Sequence, residues 1–476
     1  MKKRKKGFAA ALATTLSLSV LSSVAFADQP SSTDSSTSLN IKPPEFFVPN
    51  GQNKKNFFVD KKQLDKLTHL EGFENTKLYK GIHNGAGYWM EVPENWNGKL
   101  VLYAHGYRGT GQALTVSAPS VRQELITEGY AWAASSYSTN GYDVESGVKD
   151  THALNGLFRK LVGNPTRTYI MGHSMGGHVT GVYAEQYGDV DGALPMCGVL
   201  GDSELFDFFT DYGLVAQSLA GKSKSEQQFV ADDNYFNNTV PQLRKVLGGD
   251  EKLVVDPTTG SYVFKTLTDK GLKLEAVTEN LSGGDRPLFE IAYEHMFDDF
   301  LLQRMPTNPA YGEATGNVIN NTDSVYQLDS NPSLSPEEQA LNESVIRISN
   351  DPNGRHNNGL AAIPKVNGDL KVPTVTLHTL GDLYVPFSME QIYAKRVAEK
   401  NKEDLLVSRA IRGIGHCEFT NQEQINAFDD LVNWVENGEK PAGDNILDPK
   451  AVADINFGSK FTSVRRPYDL TPWDVK

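Results

Sequence analysis

Three residues lying far apart in this 476-residue chain have the chemistry of a proton relay ending on a nucleophile. Ser174 lies in Gly172-His173-Ser174-Met175-Gly176, between an apolar run ending at Met171 and a helix-like pattern. A strand that passes into a helix over so few residues must bend sharply. Side chains two positions from the apex would collide across the bend, so Gly172 and Gly176 meet a steric demand, and Gly177 extends the tolerance. Such a bend exposes the Ser174 hydroxyl at the carboxyl edge of a sheet, in front of helix N–H groups that favour negative charge. A serine hydroxyl is too weak an acid to attack unaided, and two other residues supply what it lacks. His416, in RGIGHCEF, and Asp382, in LHTLGDLYVP, each follow an apolar run and have glycines beside them that let their loops bend. The histidine would take the proton, and the aspartate would hold the histidine in the right tautomer. A lone G-x-S-x-G occurs by chance, whereas the chain order Ser, Asp, His with all three at strand ends is far more specific. Asp202, just after the preceding strand, is the rival acid, and Asp382 is favoured over it.

These positions require a scaffold that brings strand ends to one edge. GAGYWMEV, Leu100 to Ala104, GYAWAASSYS from Gly129, the run before Gly172, and DGALPMCGV read as buried strands. Helical patterns alternate with them, which predicts an α/β fold with a mainly parallel sheet and right-handed crossovers. From 200 to 368 the pattern changes to aromatic-rich helical pieces and polar loops, read as an inserted, mainly helical cap before the penultimate strand. Within it Phe206, Phe208, Phe209 and Tyr212 are expected in the cap's own core rather than along an acyl pocket. VPTVTLHTLGD and SRAIRGIGH are the last two strands. Thr420-Asn421-Gln422-Glu423 is a capping box opening a helix with Phe428, Leu431, Val432 and Val435 on one face. The expected divisions are a signal peptide over 1–27, a flexible leader over 28–45, core over 46–199, the cap, core again over 369–440, and a tail over 441–476.

From about Gly85 to Gly198 and from Lys371 to Trp434 the chain resembles a secreted α/β-hydrolase of the serine esterase type. The cap is outside the resemblance. It implies nucleophile, acid and base at Ser174, Asp382 and His416, with the backbone N–H groups of Met175 and Tyr107 as oxyanion donors. His105-Gly106-Tyr107 is similar to the H-G-x oxyanion strand of lipases and esterases. The chain has neither the H-G-G-G of hormone-sensitive-lipase-like esterases nor the H-G-G-P-G of prolyl aminopeptidases. His173 and His178, which flank the bend, are expected to pack or cap. The implied activity is hydrolysis of small to medium carboxylic esters through an acyl-enzyme. A serine exopeptidase, a polyester depolymerase and a catalytically silent binding protein of the same fold are the alternatives.

Composition narrows the partners and the compartment. Lys2 to Lys6 are basic, an apolar run follows to Val24, and Ala25-Phe26-Ala27 precedes Asp28, as in a secretory signal peptide with its cleavage site. The net charge is −13, and becomes more negative once that basic leader is removed. Such a field repels nucleic acid and anionic membranes. No later stretch is apolar enough to span a bilayer, and no metal-ligand spacing, cofactor motif or obligate protein partner is legible. Extracellular localisation follows from the leader. Two cysteines in an exported chain permit one disulfide, and Cys197 and Cys417 both fall at the carboxyl ends of strands, so a bridge between them is expected.

Overall fold

Leu100 to Ala104 and Thr168 to Met171 carry side chains that are buried whichever way they point, so each can only be an interior strand covered on both faces. The computed structural model describes residues 57–109, 111–229, 231–248, 254–255, 262–263, 266–305, 319–350, 359–360, 363–471 and 473. The expected signal peptide and leader, and parts of the expected cap, lie outside these residues.

Eight strands form the central sheet: β1 (Lys77–His83), β2 (Ala86–Val92), β3 (Lys99–Ala104), β4 (Ala131–Ser135), β5 (Arg167–His173), β6 (Gly192–Met196), β7 (Thr374–Thr379) and β8 (Leu406–Ile411). Their spatial order is β1-β2-β4-β3-β5-β6-β7-β8. β2 runs antiparallel to both its neighbours, and the remaining pairs are parallel. This is the α/β-hydrolase fold.

The edge strand β1 has no counterpart in the sequence reading. All of its residues are exposed or half-buried, Lys77 and Lys80 among the exposed ones, so it carries none of the apolar continuity that marks an interior strand. The interior strands divide their side chains between two layers. Leu100, Leu102 and Ile170 pack with Val148, Leu154 and Phe158 of α1 (Val144–Leu161) and with Val179 and Val182 of α2 (Met175–Gln186). Val101, Tyr169, Met171 and Leu377 face the other way, onto Phe428, Leu431 and Trp434. The capping box that opens this last helix, Asn421–Asn437, is formed as expected, with Thr420 and Glu423 bonded reciprocally.

Between β6 and β7 the chain builds helices over Glu204–Leu219, Val240–Leu247, Asp269–Leu281, Phe289–Met296 and Pro336–Ser344. Phe206, Phe208, Phe209 and Tyr212 are all buried here, in the same apolar cluster as the α1 and α2 face. The tail is fastened to the sheet by Arg412, which is fully buried. Its guanidinium pairs with Asp469 at 2.7 Å and donates to the carbonyls of Ile455 and Phe457.

Cys197, directly after β6, is joined to Cys417, with Cα atoms 5.3 Å apart and a separation of 220 in sequence. The bridge closes a loop containing every helix between β6 and β7. In the chain-entropy account a loop that long is worth about 5 kcal/mol, less any strain in the native state. The unreduced, denatured protein is therefore expected to titrate no thiol, and the Cys197→Ser, Cys417→Ser double variant to melt several degrees lower in calorimetry.

Candidate active site

The bend at Ser174 is forced by what surrounds it. Ser174 has φ 58° and ψ −122°, a conformation that costs a residue with a Cβ about 1–3 kcal/mol unless its surroundings hold it there. They do. A Cβ on Gly172 would come 2.3 Å from the Gly176 carbonyl oxygen, and one on Gly176 would come 2.0 Å from the Ala104 carbonyl oxygen. β5, α2 and the end of β3 thus touch backbone to backbone, and no residue but glycine fits either place. The Ser174 N–H is tied to the Met196 carbonyl at 3.0 Å, which locks the apex to β6.

Ser174, His416 and Asp382 meet at the carboxyl edge of the sheet. His416 Nε2 is 2.8 Å from Ser174 Oγ, and His416 Nδ1 is 2.7 Å from Asp382 Oδ2. Asp382 is fully buried. Its second oxygen accepts the N–H groups of Tyr384 and Val385 at 2.9 and 3.0 Å, so the carboxylate is oriented by its own turn. The helix that follows begins only at Ser388 and takes no side-chain cap. The rival Asp202 is elsewhere: it is buried, pairs with Arg396 at 2.6 Å and accepts from Ser203 and Val366.

The His416 loop is held from beneath by a residue that the sequence reading passed over. Glu418 Oε2 accepts the N–H groups of Ile414 and Gly415 at 3.1 and 2.8 Å, while its other oxygen accepts the Tyr468 hydroxyl at 2.6 Å. Arg466 donates to the Glu418 carbonyl and grips Glu423 through two nitrogens. An acid two residues past the histidine in a glycine-rich loop was the available signal. Nothing in the tail's sequence pointed to Tyr468 or Arg466.

The proposed oxyanion donors flank the serine. Met175 is the first residue of α2. The chain at Gly106 passes so close that a Cβ there would lie 3.3 Å from Ser174 Cβ, which brings the backbone of residue 107 alongside. Tyr137 supports this strand end, donating to the His105 carbonyl at 3.0 Å and stacking on the His105 ring. Cys197, His416 and Cys417 also converge, but the two sulfurs are bonded to each other and are not thiolate ligands.

An aromatic stack that the sequence reading also missed leads away from His416. The Tyr384 ring lies over His416 at 5.5 Å between centroids, Phe300 over Tyr384 at 3.6 Å, and the Arg304 guanidinium over Phe300 at 4.2 Å.

Three histidines, His105 and His178 buried and His173 half-buried, lie near the serine without touching its hydroxyl. His178 bonds the Tyr142 hydroxyl and the Pro364 carbonyl, and His173 bonds Gln424. Burial pushes both imidazoles down to about 4, and pushes His105 well below the usual histidine range.

No family model matches the chain. It is 24% identical over 451 residues to an o-phthalyl amidase of Xanthobacter agilis, a match covering 83% of this chain and 94% of that protein. Solved structures similar to it include feruloyl esterase B from Aspergillus oryzae, with 18% identity, TM-score 0.40, 76% of this chain and 80% of that one. An esterase from the same organism has 15% identity and TM-score 0.43, over 77% of this chain and 80% of its own.

The histidines near the serine give a pH signature. Above the unfolded value of about 6.5 neither state binds a proton at His173. As pH falls from there toward 4, the unfolded chain is protonated while the folded one is not, so stability is lost at up to about 1.4 kcal/mol per pH unit. Denaturant titrations are expected to show the penalty of His173→Gln shrinking between pH 7 and pH 5. A penalty independent of pH would mean that His173 is not held neutral.

Proposed function

We propose that the protein is an extracellular serine hydrolase that cleaves carboxylic esters through an acyl-enzyme. The observation that carries this reading is the unbroken hydrogen-bond path from Ser174 Oγ through His416 to the buried Asp382 carboxylate. In the first half-reaction His416 Nε2 takes the Ser174 proton as Oγ attacks the substrate carbonyl. The tetrahedral oxyanion is held by the N–H groups of Met175 and Tyr107, each worth about 2.7–4 kcal/mol by comparison with other oxyanion donors. His416 then protonates the leaving group, and the acyl group stays on Ser174. Water, activated by the same imidazole, releases the acid. Asp382 keeps Nδ1 protonated throughout, so that Nε2 is the acceptor whenever the ring is neutral, and stabilises the imidazolium.

Amides form a second reading, favoured by the similarity to an o-phthalyl amidase over nearly all of that protein's length. The same relay serves both substrates, because His416 protonates either leaving group and an amide's nitrogen only depends on that proton more than an ester's oxygen does. Export is supported by the Cys197–Cys417 bridge, which persists in an oxidising compartment. Among the described residues no helix is long and apolar enough to cross a membrane.

Mass spectrometry after treatment with a fluorophosphonate is expected to find one adduct, on the Ser174 peptide, and Ser174→Ala to lose both the adduct and ester turnover. Asp382→Asn is expected to lower kcat by roughly 10⁴-fold, as for other triad aspartates. Asp202→Asn is expected to affect stability rather than turnover. An adduct on another residue, or a large kcat loss in Asp202→Asn alone, would overturn the assignment.

A further inference from the structure

Arginines in folded proteins are almost always bonded, because a guanidinium carries five donors and its removal from water is costly when they go unused. The described arginines keep that rule with one exception. Arg108, Arg122, Arg159, Arg167, Arg244, Arg286, Arg347, Arg396, Arg409, Arg412, Arg465 and Arg466 each donate to a carboxylate, hydroxyl, amide or carbonyl oxygen. Arg304 alone among the described arginines has no side-chain hydrogen bond or ion pair, and its Nε is buried without an acceptor.

Its position gives that exception a meaning. Arg304 follows the short turn Leu301–Gln303 and lies on the buried ring of Phe300, which stacks on Tyr384, which in turn stacks on His416. Tyr384 is partly open to solvent and Phe300 is buried in the main apolar cluster, so this row of rings runs from His416 at the site into the edge of the core. Burial lowers the Arg304 guanidinium below its usual range, which the nearby hydroxyls of Tyr384 and Tyr107 partly oppose. No acid among the described residues neutralises it.

We propose that Arg304 is the anchor for a second, anionic group of the substrate, and that the preferred substrates are esters or amides bearing a free carboxylate. The inference rests on Ser174 being the nucleophile. The end-on edge of a guanidinium, its two Nη nitrogens, matches the two oxygens of a carboxylate, and here neither Nη donates to a described residue while Nε is buried behind them. Stacking on Phe300 fixes the plane of the fork, so less freedom is lost when the anion docks. The chain's negative net charge does not forbid this. At physiological ionic strength its field is screened beyond about 8 Å, whereas a bidentate contact acts at hydrogen-bond distance.

The test compares two matched pairs: p-nitrophenyl hydrogen glutarate with its neutral methyl ester, and 4-acetoxybenzoate with methyl 4-acetoxybenzoate. The first pair carries the carboxylate on the acyl side and the second on the leaving-group side. In the wild-type protein kcat/KM is expected to favour the charged member of at least one pair. In Arg304→Gln that preference ratio is expected to fall roughly 10- to 100-fold, as for loss of a charged hydrogen-bond pair, chiefly through KM. Arg304→Lys, which keeps the charge and the stem but not the fork, is expected to fall between the two, and it replaces Arg304→Gln should the latter not fold. A wild-type protein that takes the fluorophosphonate on Ser174 and hydrolyses the neutral esters without preferring either charged partner would overturn this inference and leave the proposed function standing. An unchanged ratio in both variants would overturn it equally. Failure to label Ser174 would overturn both.

Discussion

The structure depends on a backbone contact that only hydrogen atoms can occupy. Where β3 ends, the Ala104 carbonyl lies so close to the start of α2 that Gly176 can carry no side chain, and across the bend Gly172 meets Gly176 in the same way. This contact holds Ser174 at a positive φ that it would not adopt alone. The strain is confined to one residue and is held by three elements, β3, β5 and α2. Its consequence is positional: the hydroxyl stands clear of the sheet edge, with the first turn of α2 behind it and the Gly106 strand end beside it.

The other two members of the relay are held by different means. Asp382 is fixed by its own turn, where two N–H groups occupy one carboxylate oxygen and leave the other for His416. His416 sits on a glycine-rich loop that has little stiffness of its own, and it is immobilised from two sides. The Cys197–Cys417 bridge ties the next residue to the end of β6, and Glu418 gathers the N–H groups of the two preceding residues while itself held by Tyr468. The tail thus acts on the site through one carboxylate. A displacement of about 1 Å in such a relay can cost on the order of 10²-fold in rate, which gives physical weight to these supports.

The segment between β6 and β7 does more than cover the edge. Its aromatic residues join the main core, and one of its turns carries Phe300 and Arg304 to the side of His416. In the proposed reading the sheet would supply the groups that break the bond, and the insertion would bring those that face the rest of a substrate. A cation without a partner beside a polar relay is costly to maintain unless something occupies it.

How much of this was legible in the sequence follows from whether the information is local. The bend at Ser174, the interior strands, the Thr420–Glu423 capping box and the order Ser, Asp, His are written in short stretches, because steric demands at a turn and burial on both faces of a strand act on neighbouring residues. Edge strand β1 was not legible, since a half-exposed strand bearing lysines lacks the apolar run that gives an interior strand away. Asp382 was favoured over Asp202 from the sequence, but the contacts that separate the two exist only in three dimensions. Both follow strands at the same edge, and what separates them is that Asp202 meets Arg396, which is 194 residues away in sequence. The supports from Glu418, Tyr468 and Arg466, and the stack from His416 to Arg304, were likewise decided by tertiary structure alone. Each joins segments whose own sequences are unremarkable, and a contact between distant residues leaves no local pattern to read.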